Sequence, residues 1–325
     1  MNIIWDSNTL KKIANADFNI KWEATGLEID SRNVKKGDLF CAIKGKNFDG
    51  HDFISGAIKN GASACLISKE NHQVLNVAYS KVRNVPEALV AMARDARKRS
   101  NAKFIAITGS VGKTGTKEIF KTGLSKVTNV FVNERSFNNH LGVPLSLSRI
   151  PYSAKFCVLE IGMNKRGEIN KLSKLVKPEL AVITAVEKSH LQGLKNLKNI
   201  AIAKSEILDF IPKEGCIVFN KDTNFSELIN DKANRLSIKN RISYGKESTA
   251  NIKLINYKFN NNYYVIHAEC FGKKILWKMP AIGEHWILNS LALIGTSVHF
   301  GLDLDKILEG LSLFNLPSGR GNKIK

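Results

Sequence analysis

The chain has 325 residues, 43% of them hydrophobic and 24% charged, which describes a folded protein of two or three domains and excludes a disordered one. No run approaches the roughly 18 apolar residues that span a bilayer, and MNIIWDSNTLKK lacks the order of a signal peptide, so a cytoplasmic protein without membrane insertion is expected. A net charge of +20 suits anionic partners. Its lysines are scattered, though, and the longest basic cluster, Arg97-Lys98-Arg99, has no aromatic stacking motif beside it, so anionic small molecules are expected and nucleic acid is not.

Residues 1–84 read as a small α/β unit. A short helix is expected over Thr9 to Ile13. The polar triplet Asp30-Ser31-Arg32 follows Gly26, and the strand Leu39 to Ile43 follows the turn Gly37-Asp38. A glycine- and charge-rich loop from Lys44 to His51 leads into a helix over about Asp52 to Asn60. Gly61 stands at its C-cap, and Ala64 to Ile67 is a second strand. Asp30-Ser31-Arg32 and Asp49-Gly50-His51-Asp52, taken as local sequence, are a turn and a helix cap. Pro86 to Arg99 is a strong helix, with a domain boundary expected near Asn84.

From 101 to about 316, strands and helices alternate, the pattern of a mostly parallel sheet covered on both faces. Continuous apolar runs at 104–107, 156–160, 180–184 and 216–219 read as its buried strands. Residues 251–279 alternate differently and read as an antiparallel excursion. Helices are expected over His285 to Phe300 and Asp305 to Phe314, before a linker-like tail at 317–325. The five cysteines are odd in number, widely spaced and without a CxxC pair, so they read as reduced core residues.

The stretch FIAITGSVGKTGTKE, from Phe104 to Glu118, carries the chemistry. A strand breaks into Gly109-Ser110-Val111-Gly112-Lys113-Thr114-Gly115 and then into a helix. That is a phosphate-cradling loop, with N–H groups at the helix start facing the anion, Lys113 on the β/γ-phosphates and the Thr114 hydroxyl on Mg²⁺. The general motif sets four residues between its first glycine and Gly-Lys; here Gly109 leaves only Ser110 and Val111. Glu160 ends the next strand, where a carboxylate beside a phosphate loop holds a metal. His190 follows a strand end. Lys204, among small apolar residues on a helix, reads from its surroundings as a snorkelling side chain. Asn138-Asn139 and Gly283-Glu284-His285 read as polar helix starts.

Together these pieces resemble the Mur ligases, ATP-dependent amide-bond-forming enzymes of peptidoglycan synthesis, over essentially the whole chain. TGSVGKTGTK is similar to that family's short phosphate loop, which also has two residues between its glycines, although serine or threonine is frequent there at the Gly115 position. DSRNVKKGDLFCAIKGKNFDGHDF, NNHLGVPLSL, EIGMNKRGEI and SHLQGLKNLKNIAIAKSEI are most similar to the MurF branch. The resemblance implies addition of D-alanyl-D-alanine to UDP-MurNAc-tripeptide through an acyl phosphate, by a monomer that uses ATP and Mg²⁺. It implies an ATP site of Gly109, Ser110, Val111, Gly112, Lys113, Thr114, Gly115 and Asn289. Lys113, Glu160, His190 and Lys204 would be catalytic. The metal shell would be Thr114, Glu160, His190 and a carbamylated Lys204. Ser31, Arg32, Asp49 and His51 would bind the uridine nucleotide, and Asn138 and Asn139 would line the central site.

The fold expected is therefore α/β: a small uridine-nucleotide unit over 1–84, a central ATP-binding unit over 85–316, and a hinge over 317–325. The family continues into a Rossmann-like third domain that this chain is expected to lack, which would leave it nucleotide-binding but poor in ligation. Two alternatives are a sibling ligase, MurE-like or folylpolyglutamate-synthase-like, and a non-catalytic nucleotide-binding module. The first would differ in which substrate stimulates ATP cleavage, and the second would bind ATP without turnover.

Overall fold

The computed structural model describes residues 2–70, 77–134, 137–187, 194, 196–260, 262–280 and 283–315. The expected hinge over 317–325 and His190 lie outside these. The chain forms two compact units, Met1–Ser100 with Pro144–Tyr152, and Asn101–Val143 with Ser153–Lys325.

The first unit contains strands β1 (Trp5–Asp6), β2 (Asp17–Phe18), β3 (Glu23–Ala24), β4 (Gly26–Glu28), β5 (Asp38–Cys41), β6 (Ala64–Ile67) and β7 (Tyr79–Lys81). β1 and β3 pair antiparallel. The others form one sheet in the order β2-β7-β6-β5-β4, parallel from β4 to β7 and antiparallel only at β2. Parallel register sends the carboxyl ends of β4, β5 and β6 to one edge. The expected helix over 52–60 is a 3₁₀ turn, Gly50–Phe53, running into the α-helix Ile54–Lys59. Ile54 and Ala57 from it pack with Phe40, Cys65 and Ile67 of the sheet.

The unit's longest helix is Val85–Arg99, which begins where Asn84 accepts the Glu87 N–H and Pro86 fills the first turn. It was expected beyond the boundary near Asn84, but the compact unit runs on to Ser100. Its buried stripe, Leu89, Met92, Ala93 and Ala96, explains the difference. Burial of Leu89 and Met92 contributes about 2 kcal/mol each, and the helix packs beside helix Ser7–Ala14. At its end the Arg99 guanidinium lies 4.3 Å from the Trp5 ring centre and donates to the Ile4 carbonyl at 2.8 Å. The distant segment 144–152 joins the same unit: Trp5 Nε1 donates to the Ser148 carbonyl at 2.8 Å, and Arg149 pairs with Glu28 at 2.9 Å.

The second unit is built on a nine-stranded sheet of β8 (Lys103–Thr108), β9 (Val130–Val132), β10 (Phe156–Glu160), β11 (Leu180–Ile183), β12 (Cys216–Asn220), β13 (Asn240–Gly245), β14 (Ile252–Asn260), β15 (Tyr263–Cys270) and β16 (Lys273–Met279). Its order is β16-β15-β14-β13-β12-β11-β8-β10-β9. Pairing is parallel from β9 across to β14 and antiparallel from β14 to β16, as the change of periodicity at 251–279 predicts. β10, β11 and most of β8 and β12 are buried along their length, hence their unbroken apolar runs. Helices Lys113–Leu124, Glu284–His299 and Leu304–Ser312 contribute Phe120, Leu291 and Ile307 to the core over Ile107, Val158 and Val182. All five cysteines are free and buried.

Candidate active site

β8 ends at Thr108 between the parallel strands β11 and β10, so the loop after it opens at the carboxyl edge, where ligands of parallel sheets bind. Gly112 adopts φ +85° and ends the loop, and helix Lys113–Leu124 starts at the next residue with no side-chain cap. Thr116 N–H bonds the Gly112 carbonyl at 2.8 Å. The amides ahead of it at the helix start are the orphan donors that an anion completes.

The end of β11 fixes the loop's shape. Ser110 N–H donates to the Ala185 carbonyl at 2.7 Å. The Ser110 hydroxyl donates to the Glu187 carbonyl at 2.8 Å and accepts the Glu187 N–H at 2.9 Å. Thr184 donates to the Val111 carbonyl at 2.7 Å. Ser110, expected as an ATP contact, uses both its N–H and its hydroxyl to clamp the loop to the end of β11. Gly109 passes so close to the Thr184 hydroxyl that no Cβ fits there. Gly115 is equally constrained, since a Cβ would stand 2.7 Å from Trp286 Cζ3. The Trp286 ring leaves no room here for the serine or threonine side chain that is frequent at this position in the family the sequence resembles.

Lys113 Nζ lies over the loop, donating to the Gly109 carbonyl at 2.8 Å and the Ser110 carbonyl at 3.2 Å. Thr114 Oγ1 donates to Glu160 Oε2 at 2.8 Å, and Asn138 Nδ2 donates to Glu160 Oε1 at 2.7 Å. Glu160 is 1% exposed, so its carboxylate is aimed by its two neighbours. Thr114 and Glu160 together present hard oxygen donors of the kind Mg²⁺ takes, and Mg²⁺ retains waters and phosphate oxygens beside one or two protein ligands. The donor set fits that ion, although the described residues contain no cluster of three His, Cys, Asp or Glu.

Lys204, on helix Leu197–Ser205, is 2% exposed and does not snorkel. Burial, assisted by the like charge of Lys113, pulls its ammonium down to about 7. Glu206 next to it was not singled out from sequence. Its carboxylate accepts the Gly167 N–H at 2.9 Å and the Asn170 N–H at 3.2 Å, capping helix Glu168–Val176 and tying it to the Lys204 helix.

A cleft of about 740 Å³ opens beside the loop, lined among others by Val111, Gly112, Thr223, Lys246, His285 and Asn289. Asn289 is 6% exposed, lies against Gly112, and has no hydrogen-bond partner on Nδ2 among the described residues. Burial lowers the pKa of His285. Glu284 pairs with Lys246 and accepts the Tyr257 hydroxyl at 2.7 Å, which closes one wall.

In the first unit, helix Ile54–Lys59 packs against both the Ser31–Asn33 turn and the Gly50–Phe53 turn. Arg32 is exposed and held in a two-bond fork by Asp30, at 2.9 and 2.7 Å. His51, expected to contact the uridine nucleotide, is 1% exposed, with Nδ1 at 2.6 Å from Asp49 and Nε2 accepting the Ser68 N–H at 3.0 Å. Asp49 is likewise engaged. One oxygen takes His51 and the other Lys69 at 2.9 Å, and Lys69 foremost holds its carboxyl below the usual range. Both residues staple the 3₁₀ turn to the end of β6. Asn139 in the second unit caps, accepting the Leu141 and Gly142 N–H groups at 3.1 and 2.9 Å.

A glycine turn clamped between strand ends, a helix N-terminus and a threonine–glutamate oxygen pair define a P-loop phosphate-binding unit. Residues 107–297 match the Mur ligase middle domain and residues 23–107 match the Mur ligase catalytic-domain family. The chain belongs to the Mur ligase family. It is 36% identical to the UDP-N-acetylmuramoyl-tripeptide–D-alanyl-D-alanine ligase of Rickettsia prowazekii, covering 99% of this chain and 72% of that protein. The Bacillus subtilis ligase of the same name is 30% identical, over 92% of this chain and 64% of its own length. Among solved structures, MurF from Acinetobacter baumannii superposes with a TM-score of 0.85 at 26% identity, over 99% of this chain and 70% of that one. MurF from Thermotoga maritima in complex with ADP gives 0.76 at 27%, over 91% and 67%. The chain thus spans roughly two thirds of the length of these relatives. No helix among the described residues is long and apolar enough to cross a membrane.

Proposed function

We propose that this chain carries the nucleotide-phosphate and acceptor-activating part of a cytoplasmic, ATP-dependent amide-bond ligase of the MurF kind. Its substrates would be UDP-MurNAc-tripeptide, ATP and D-alanyl-D-alanine. The observation that carries this is the convergence, at one sheet edge, of the Lys113 loop with the Thr114–Glu160 pair, beside the buried Lys204. The family match and the ADP-bound neighbour support it.

In this reading the helix-start amides and Lys113 hold the β- and γ-phosphates. The peptide's terminal carboxylate attacks the γ-phosphorus, the bond to the β-bridging oxygen breaks, and ADP leaves an acyl phosphate. The amine of D-alanyl-D-alanine then adds to the acyl carbon, loses a proton and expels inorganic phosphate. Two anions meet in the first step, so fixed positive charge and oriented N–H dipoles lower its barrier most. Bound Mg²⁺ would neutralise phosphate oxygens, with Thr114 and Glu160 holding it. Lys204, with an ammonium brought to about 7, is substantially neutral at physiological pH. A neutral amine is the form that takes up CO₂ as a carbamate, an anionic ligand in place of a cation. Asn289 would read the adenine edge, and Ser31 and Arg32 would hold the uridine nucleotide.

The test is phosphate release from ATP and Mg²⁺, with UDP-MurNAc-tripeptide and D-alanyl-D-alanine added singly and together. Release that requires both is expected of a ligase. ATP binding with no release under any combination would overturn ligation by this chain.

A further inference from the structure

Helix Lys113–Leu124 carries a second lysine that does not face the phosphate loop. Lys117 is 1% exposed, and its Nζ donates to the Asn133 carbonyl at 2.6 Å and lies 3.2 Å from Glu118 Oε1. Burying an ammonium is costly, and a methionine of similar length would fill the space without that cost. What the ammonium holds is therefore informative.

Asn133 is itself fully buried and grips Glu160 by its main chain. Its Oδ1 accepts the Glu160 N–H at 2.9 Å, and its Nδ2 donates to the Glu160 carbonyl at 3.3 Å and the Phe137 carbonyl at 2.9 Å. Asn138, next to Phe137, holds Glu160 Oε1 and accepts the Gly162 N–H at 2.8 Å. Hydrogen bonds thus run from Lys117 through Asn133 to the Glu160 main chain and to the Phe137 carbonyl, and the adjoining residue, Asn138, holds the Glu160 carboxylate.

We propose that Lys117 is a positioning residue for the divalent cation: through Asn133 and Asn138 it orients Glu160 so that Oε2 stands beside Thr114. This rests on the reading of Thr114 and Glu160 as the cation-binding pair of a nucleotide site. The two ways in which Lys117 can act there have opposite signs. As a nearby positive charge it weakens cation binding, so its removal would tighten the site. As a positioning group its removal loosens Glu160 and weakens the site.

The experiment is electron paramagnetic resonance titration of Mn²⁺ with ADP on the full 325-residue chain, for wild type and Lys117→Met. ADP affinity is measured in parallel in EDTA. The expected result is Mn²⁺ affinity at least tenfold weaker in the variant, with metal-free ADP affinity within twofold of wild type. Unchanged or tighter Mn²⁺ binding overturns the proposal, as does a parallel fall in metal-free ADP affinity, which would mark a merely structural lysine. Should Lys117→Met not fold, Asn133→Ala breaks the chain one link further on and is judged by the same outcomes. A wild-type protein that binds ADP but no Mn²⁺ overturns the cation-site reading itself, and the proposal with it.

Discussion

Replacing Lys204 by methionine keeps the length of the side chain and removes a charge from a site that is 2% exposed. A fall in pKa from the ordinary 10.5 to about 7 corresponds to about 5 kcal/mol, at about 1.4 kcal/mol per tenfold change in proton affinity. The folded state binds the proton more weakly than the unfolded chain. The penalty is therefore fully present below about pH 7 and relaxes as pH rises towards 10.5. Lys204→Met should accordingly be more stable than wild type by about 3–5 kcal/mol at pH 6, and by only about 1–2 kcal/mol at pH 9.5. The assay is urea unfolding at both pH values in CO₂-free buffer, because a carbamate would replace the cation being measured. Lys113→Ala should narrow the gap, since its charge is the second cause of the depression. An equal advantage at both pH values would show that packing and not charge separates the variants. No advantage at either would show that the ammonium is not desolvated.

Lys113→Ala should also weaken ATP binding about 100-fold or more in calorimetry, by loss of a charge-assisted phosphate contact; unchanged affinity would remove the loop from the nucleotide site. Gly115→Ser places an atom against Trp286 and should cost about 1–3 kcal/mol in denaturant unfolding. Combination with Trp286→Phe should be less than additive, and strict additivity would contradict the contact. His51→Ala strands the Ser68 N–H and removes the ring's bond to Asp49, whose oxygen keeps the main-chain N–H of residue 51, for a loss of about 1–3 kcal/mol. A change below about 0.5 kcal/mol would show that the staple carries no load.

Much of the fold is local enough to be written in one dimension. β10 is the apolar run Phe-Cys-Val-Leu-Glu because both faces of the strand are covered, and helix Val85–Arg99 carries its own cap and proline. The phosphate loop declares itself because strand, glycine and helix start are consecutive. Helix Ser226–Arg235 shows no such signal: it buries only Ser226, Ile229 and Ala233 beneath an otherwise polar sequence. Tertiary structure alone decided the rest. Helix Val85–Arg99 and residues 144–152 join the first unit through Trp5 and Arg99, contacts made across many residues of chain. The same polar letters took opposite roles for the same reason. His51 Nε2 and the Ser110 hydroxyl became struts because Ser68 and Glu187, partners distant in sequence, claimed them. Lys204 kept its amine without an ion pair or hydrogen bond among the described residues, and burial lowered its pKa. Residue type determines which bonds a side chain is able to make. Which partner arrives, and whether water is excluded there, depends on strands and helices far apart in the chain.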